Sequence, residues 1–334
     1  MSLVSILIPA YNTDKWISAT IESALNQTWN KKEIIIVDDG STDNTLQIAR
    51  RFESKLVKVV TQENSGAASA RNKAFKFAQG DYIQWLDADD LLAPDKISLQ
   101  MQRSEVEANE LMFFTAAWAR FYFRPGSAIF YPDSLWCDLQ PVEWLVSKFE
   151  KGVWMNPITW LVSRKLSELT GPWDERLSLD DDGEYVSRLV AQSEGVRFVS
   201  EAKCFYRTNT NSLSSTRSDV ALDSLFLATT LCIKHLRSLE DTDHTRHACL
   251  KLLEARLCYF NPAKPTLIKA AEKLATDIGG TLSPPEINRK MRLVGNIIGW
   301  KMVTRIQNWL WTVEVQSRKY WDRIIDILFS LHLK

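Results

Sequence analysis

The segment Tyr82-Ile-Gln-Trp-Leu-Asp87-Ala-Asp89-Asp90 delivers three carboxylates within four positions at the end of a short apolar run. Ionised carboxylates that close together repel, so either their pKa values rise or a cation neutralises them. An oxygen-only set suits Mg²⁺ or Mn²⁺, ions that partner phosphates. The plainer alternative is that Asp89 or Asp90 caps a helix starting near Pro94. A second acidic group, Asp180-Asp181-Asp182-Gly183-Glu184, precedes a helical pattern through Val186, Leu189 and Val190. Crowding there raises the pKa of at least one carboxyl, as a general base requires; a solvated loop capping the helix is the plain counterpart.

The elements that must position these groups alternate. Residues 3–8 and 33–37 are nearly continuous apolar runs, as expected of parallel strands covered on both faces. Between them Trp16, Ile17, Ile21, Ala24 and Leu25 recur at helical spacing. The second run ends in Asp38-Asp39-Gly40-Ser41-Thr42-Asp43 and passes into a helix carrying Leu46, Ile48, Ala49 and Phe52. Residues 57–60 give a third strand, Asn64-Ser65-Gly66 leads into a helix containing Arg71 and Asn72, and 82–86 give a fourth strand. This alternation predicts an α/β fold, a doubly wound and mostly parallel sheet flanked by helices. Ligands on such sheets sit beyond the carboxyl ends of the strands, where Asn12, Asp38, Asp39, Asn64 and Asp87 to Asp90 all fall.

Beyond the fourth strand the pattern predicts a helix over 95–108, one or two strands over 111–123, a helix over 141–150, and short strands over 197–200 and 204–206. Residues 154–164 fit strand or helix equally well. The first domain is expected to span 1–215, with an α-helical C-terminal region over 216–334.

Lys+Arg and Asp+Glu balance at 41 each in 334 residues, so no global field points to nucleic acid. Five scattered cysteines without a Cys-x-x-Cys pair fit reduced thiols in a cytosol. The apolar start is too short for a signal peptide and lacks a basic flank, and no run approaches the about 18 apolar residues of a spanning helix. No glycine-rich phosphate loop follows the first strand, which disfavours dinucleotide enzymes and ATPases. His244 and His247 lack the partners a zinc site needs.

In chain order, Val4-Ser-Ile-Leu-Ile-Pro-Ala-Tyr-Asn12, Glu33-Ile-Ile-Ile-Val-Asp-Asp-Gly-Ser-Thr-Asp43, Asn64-Ser-Gly66 with Ala70-Arg71-Asn72, Trp85-Leu-Asp-Ala-Asp-Asp90, and Trp173-Asp-Glu175 with the Asp180 to Glu184 cluster resemble the inverting family 2 glycosyltransferases. The likeness runs over roughly residues 3–215. It implies a Rossmann-like nucleotide-diphospho-sugar transferase fold of the A type. It further implies transfer from a nucleotide-diphosphate sugar, a UDP-sugar first, to a hydroxyl of a glycan or lipid-linked acceptor. By the same resemblance Pro9, Ala10 and Tyr11 with Asp38 and Asp39 hold the nucleoside, and Arg71 offers a positive fork to uracil or phosphate. Asp89 would bind Mn²⁺ or Mg²⁺, Asp87 would contact ribose or metal, and Ala88 would leave room for the donor.

Family members commonly carry Glu-Asp with an Arg six residues past that Asp. Asp182 precedes Arg188 by that interval, which puts the base on Asp182, with Asp181 in the Glu position and Asp180 and Glu184 as alternatives. The chain departs from the family in having no His over 205–214, leaving Asn209 or Asn211 as further metal ligands. It also lacks the Gln-x-x-Arg-Trp signature of processive synthases, so one sugar is expected to move at a time. Two competing readings are a nucleotidyltransferase, which would want a basic triphosphate loop, and a degenerate sugar-nucleotide-binding protein.

The tail over 286–334 carries nine Lys/Arg against four Asp/Glu. Trp300, Val303, Ile306, Leu310 and Val313 form one helical stripe, and Trp321, Ile324, Ile325, Leu328 and Phe329 another. Two destinations are open for them: a membrane interface, or packing on the catalytic domain or a second subunit of a homo-oligomer. The first fits a cytoplasmic enzyme working at the inner face of the membrane.

Overall fold

Apolar strands form here because each alternate side chain finds a helical layer on its own side of the sheet. The computed structural model describes residues 1–208, 218–260, 264–283, 320 and 322–323. The chain runs β1 (Val4–Ala10), α1 (Ile17–Leu25), β2 (Lys32–Asp38), α2 (Thr45–Arg50), β3 (Val57–Thr61), α3 (Ala67–Phe77), β4 (Tyr82–Trp85), β5 (Leu91–Leu92) and α4 (Lys96–Glu107). It continues through β6 (Met112–Phe121), β7 (Ile129–Phe130), α5 (Pro141–Lys151), β8 (Leu161–Ser163), α6 (Arg164–Thr170), α7 (Asp181–Gln192) and β9 (Gly195–Arg207). Helices α8 (Asp219–Leu239), α9 (Asp243–Phe260) and α10 (Pro265–Ile278) follow.

The strands lie in the order β3-β2-β1-β4-β8-β6-β9-β5, with β7 paired to β6. Ile34 and Ile36 of β2 join an apolar layer with Ile17 and Ile21 of α1 and Ile97 of α4. Ile35 and Val37 face the opposite layer, built from Ala70 and Ala74 of α3, Trp144 of α5 and Leu189 of α7. Each of the Ile, Val and Leu side chains contributes on the order of 1.5–3 kcal/mol by leaving water. Cys232, Leu236, Leu252 and Ala271 of α8, α9 and α10 belong to that second layer too.

β1 to β4 are mutually parallel, as the alternation predicts, whereas β8 is antiparallel to both β4 and β6. Two reversals restore the direction, so β6 and its parallel neighbour β9 end at the same rim as β1, β2 and β4. The ambiguous stretch over 154–164 resolves into a 3-10 turn at Pro157–Thr159 and then β8. Helix α6 has no counterpart in the sequence pattern; Ser163 begins it by accepting a hydrogen bond from Leu166 N. The two short strands near 200 are a single β9, whose register against β6 slips between Ala116 and Ala117 and so hides the alternation. Asp89 and Asp90 do not cap α4, because β5 intervenes and the helix starts after Asp95.

Among the described residues no helix is long and apolar enough to cross a membrane. Asp322 accepts hydrogen bonds from Phe123 N and Arg124 Nε, both 2.9 Å, at the turn after β6. Asn209, Asn211 and the apolar residues of both tail stripes lie outside the described residues.

Candidate active site

The ends of β1 and β2 are stitched together by their own turns. Ala10 O accepts from Asp39 N at 2.8 Å, and Asn12 Oδ1 accepts from Thr42 N at 2.8 Å. Gly40, at φ +72°, passes so near the next turn that a Cβ would lie 2.8 Å from Asn64 N. Asp39 is buried, and its carboxylate takes hydrogen bonds from Gln62 Nε2 (2.7 Å), Ser65 N (2.9 Å) and Gly66 N (2.9 Å). It therefore anchors the turn into α3, which adds a structural task to the nucleoside contact expected of it. Neighbouring Asp38 accepts weakly from Ser41 N and Thr61 Oγ1 through one oxygen, and its buried Oδ1 has no partner. Pro9 and Ala10 lie at the strand end with Tyr11 beyond them, 47% exposed.

Arg71, on the second turn of α3, joins the two acidic groups. Its NH2 donates to Asp87 Oδ1 at 2.9 Å and its NH1 to Asp181 Oδ2 at 2.7 Å, while the guanidinium lies 4.4 Å above the Trp173 ring. The fork expected to face a phosphate or base is thus turned onto two carboxylates of the chain itself. Burial works against the charge of Arg71, and Asp87 and Asp181 outweigh it, so the side chain stays cationic. Trp173 in turn stacks on Tyr185 of α7 at 4.0 Å, which fixes the platform under the guanidinium.

Ala88 is buried, its carbonyl held by Thr20 Oγ1. Asp89 is half-buried and fixed through its backbone, where Arg207 Nε donates to its carbonyl at 2.7 Å. Asp90 is fully buried; Oδ1 accepts from Arg207 N and Oδ2 has no partner. Burial, then Asp89 and Asp87, push its carboxyl well above the usual range.

At the start of α7 the four acids have different partners. Asp180 sits in the left-handed region at φ 62° and pairs through Oδ2 with Arg256 of α9 at 2.7 Å. Its other oxygen covers the Gly183 Cα so closely that a Cβ there would collide with it. Glu184 is buried between Arg188, which grips both its oxygens at 3.0 Å, and His235 Nε2 at 2.9 Å. Burial favours its neutral form, yet those hydrogen bonds hold its pKa below the usual value. Asp182 accepts from Gly183 N at 2.8 Å. Burial first, then Asp181 and Asp180, push its carboxyl up to about 7, against the pull of Arg71. Burial likewise raises Asp181, with Arg71 opposing and Asp87 adding to the rise.

Arg256 and His235 reach the site from α9 and α8, and no sequence motif marks either of them. Removing Arg256 strands the Asp180 charge. Arg256→Met is expected to cost about 2 kcal/mol, less than the 3–5 of a fully buried pair because Asp180 keeps some solvent contact. Adding Asp180→Asn, a residue that tolerates the left-handed conformation, should recover most of it in urea denaturation; an additive double variant would contradict the pairing.

The sheet order, the carboxylate-lined rim and the helical C-terminal region define a Rossmann-like nucleotide-diphospho-sugar transferase fold. Staphylococcus aureus TarS, residues 1–349 in complex with UDP-GlcNAc, shares that fold with a TM-score of 0.58 over 83% of this chain and 89% of that one, at 16% identity. The Glycosyl transferase family 2 model matches residues 5–118. Glycosyltransferase GlyG of Streptococcus pneumoniae is 30% identical over 232 residues, 66% of this chain and 75% of that protein. The chain belongs to glycosyltransferase family 2. It is also 48% identical over 108 residues to the UDP-Glc:alpha-D-GlcNAc-diphosphoundecaprenol beta-1,3-glucosyltransferase WfaP of Escherichia coli, and that match covers 32% of this chain and 43% of WfaP.

Proposed function

We propose that the protein is a metal-dependent, inverting glycosyltransferase that moves one sugar from a UDP-sugar to a hydroxyl of a glycan or lipid-linked acceptor. The Asp87–Arg71–Asp181 bridge supports this most directly. It ties a carboxylate cluster suited to a diphosphate's cation to a carboxylate pair suited to taking a proton. UDP is favoured because WfaP is named for UDP-Glc and TarS has been solved with UDP-GlcNAc and with UDP. A lipid-linked acceptor is favoured by the diphosphoundecaprenol in the name of WfaP, and the basic tail fits a peripheral contact at the membrane surface where such an acceptor lies.

The donor set suits Mn²⁺ or Mg²⁺: Asp87 and Asp89 offer only oxygen, and their charge helps to push Asp90 up. Among the described residues no three His, Cys, Asp or Glu side chains form a metal-holding group. Asp89 and Asp87 would hold the ion, with the donor's phosphates completing its oxygen shell. Such an ion neutralises the departing diphosphate.

Asp182 takes the proton of the acceptor hydroxyl as that oxygen bonds to the anomeric carbon and the bond from this carbon to the diphosphate breaks. Attack from the face opposite the leaving group inverts the centre. A base titrating near 7 combines the ionised form with useful proton affinity. Asp180 and Glu184 are each held by an arginine, which leaves Asp182 as the carboxylate for this task. Asp38, Asp39 and the exposed Tyr11 ring line the nucleoside end.

A screen of nucleotide sugars with and without Mn²⁺ should show metal-dependent consumption of a UDP-sugar. Asp89→Asn is expected to lower it by about two orders of magnitude or more, the range of a lost electrostatic contact to the leaving group. Consumption of no nucleotide sugar, or an Asp89→Asn variant as active as the parent, would sink the proposal.

A further inference from the structure

We infer that the rim of β6 carries a second binding site, an aromatic platform of Trp118 and Trp154 with Arg120, which receives a pyranose of the acceptor bearing a phosphate. The inference deepens the glycosyltransferase reading and rests on it for the direction of the chemistry, though not for the binding itself.

The strand register builds the platform. Trp118 and Arg120 stand two residues apart on one face of β6, opposite Cys204 and Tyr206 of β9. The three extra residues that β9 loops out after Val199 set that register. Trp118 meets Tyr206 edge-on at 6.1 Å and Trp154 at 5.6 Å. Trp154 arrives from the loop after α5, where its Nε1 donates to Asn156 Oδ1 at 2.8 Å and fixes the ring. Asn156 is itself buried, so the indole is held ready rather than swinging free.

Position relates the platform to the reacting centre. The residue after Tyr206 is Arg207, whose N donates to Asp90 Oδ1 and whose Nε donates to Asp89 O, both at 2.7 Å. Burial, with the carboxylates of Asp90, Asp89, Asp87 and Asp182, pushes the Tyr206 phenol up, so its hydroxyl keeps its proton among both acidic groups. Tyr206, which feels the charge of those carboxylates, is thus joined through Trp118 to the exposed Trp154.

Chemistry names the occupant. Trp154 is 40% exposed, whereas Trp85, Trp144 and Trp160 are fully buried. A pyranose presents axial C–H bonds on one face and hydroxyls around its edge, which matches a flat indole better than an aliphatic chain does. Arg120 lies exposed with its guanidinium 5.1 Å from the Trp154 ring and 6.0 Å from that of Trp118. No carboxylate lies within ion-pair distance of it among the described residues. A cation held over part of an aromatic platform, as the Arg120 guanidinium is over the Trp154 ring, suits an anionic substituent on a sugar bound beside it, and a sugar phosphate provides one.

The test is saturation-transfer NMR on the full chain with a panel of methyl pyranosides and the matching pyranosyl 1-phosphates. At least one phosphate should bind, with saturation strongest on the protons of one ring face. Trp154→Ala should weaken it at least tenfold, Trp154→Phe should retain most of the affinity, and Arg120→Gln should abolish the preference for phosphate over methyl pyranoside. Melting curves matching the parent confirm that the variants fold. Equal binding by Trp154→Ala, or no contact from any probe, overturns the platform. Loss of sugar binding in Trp154→Ala by a protein that consumes no nucleotide sugar leaves the platform standing and removes the glycosyltransferase reading. Nucleotide-sugar turnover with platform variants whose acceptor KM is unchanged does the reverse.

Discussion

Asp182→Asn is expected to lower the turnover of sugar transfer by about 10² to 10⁴, the range of a lost general base, with the donor KM nearly unchanged. The amide keeps the volume and the hydrogen bond from Gly183 N but cannot take a proton. In the parent protein kcat/KM should rise with pH and level off above about 7, where Asp182 has lost its proton. Stability should move the opposite way. A carboxyl raised to about 7 in the folded protein holds a proton that the unfolded chain has released above about 4. The native state thus binds more protons between those values, and stability falls as pH rises through that window. The neutral amide escapes this loss, so the variant should melt a few degrees higher than the parent at pH 8 and nearly level with it at pH 4, on the scale of about 2–4 °C per kcal/mol. Near-parental activity, or a melting temperature at pH 8 below the parent's, would remove Asp182 from the base role. A site that is less stable than its amide counterpart is what a strained catalytic group predicts.

The strands and the rim were readable because burial on both faces writes an unbroken apolar run, and a strand must stop where polar residues begin. Val37-Asp38 and Leu86-Asp87 are such stops, and both lie at the site. Partners were not readable. Arg71 meets Asp87 across 16 positions and Asp181 across 110, and no local pattern records a contact of the second kind. Asp180 finds Arg256 across 76 positions, from a helix whose apolar residues fix its packing and say nothing about what its arginine grips. Asp39 was legible as a carboxylate at a strand end; that it accepts three hydrogen bonds from the turn into α3 depends on how closely Gly40 lets two turns approach. Trp154 lay in the one stretch whose pattern fitted strand and helix alike, because a 3-10 turn at Pro157–Thr159 follows neither period.

Arg71→Met should be the most disruptive single change at this site. Two carboxylates lose their shared cation at once, Asp87 in the turn just after β4 and Asp181 at the start of α7. Breaking a buried pair costs about 3–5 kcal/mol, and the remaining exposure of Asp87 and Asp181 puts this one at about 3. Arg71 also opposes the rise of both Asp181 and Asp182, so its loss lets both climb further. The rising limb of the pH profile should therefore shift to higher pH, and part of the lost activity should return in alkaline buffer. Lysine cannot restore the parent. An ammonium on a single stem cannot donate two separate, fixed bonds to Asp87 and Asp181 while lying flat on Trp173, as the planar guanidinium does. Arg71→Lys should thus recover stability in urea denaturation better than it recovers the pH profile. Adding Asp181→Asn to Arg71→Met should regain stability by removing one stranded charge and still leave transfer slow, because the link between the two acidic groups is gone. A lysine variant with the parent's turnover and pH profile would mean that Arg71 supplies charge alone, and the bridge would then carry no geometric role.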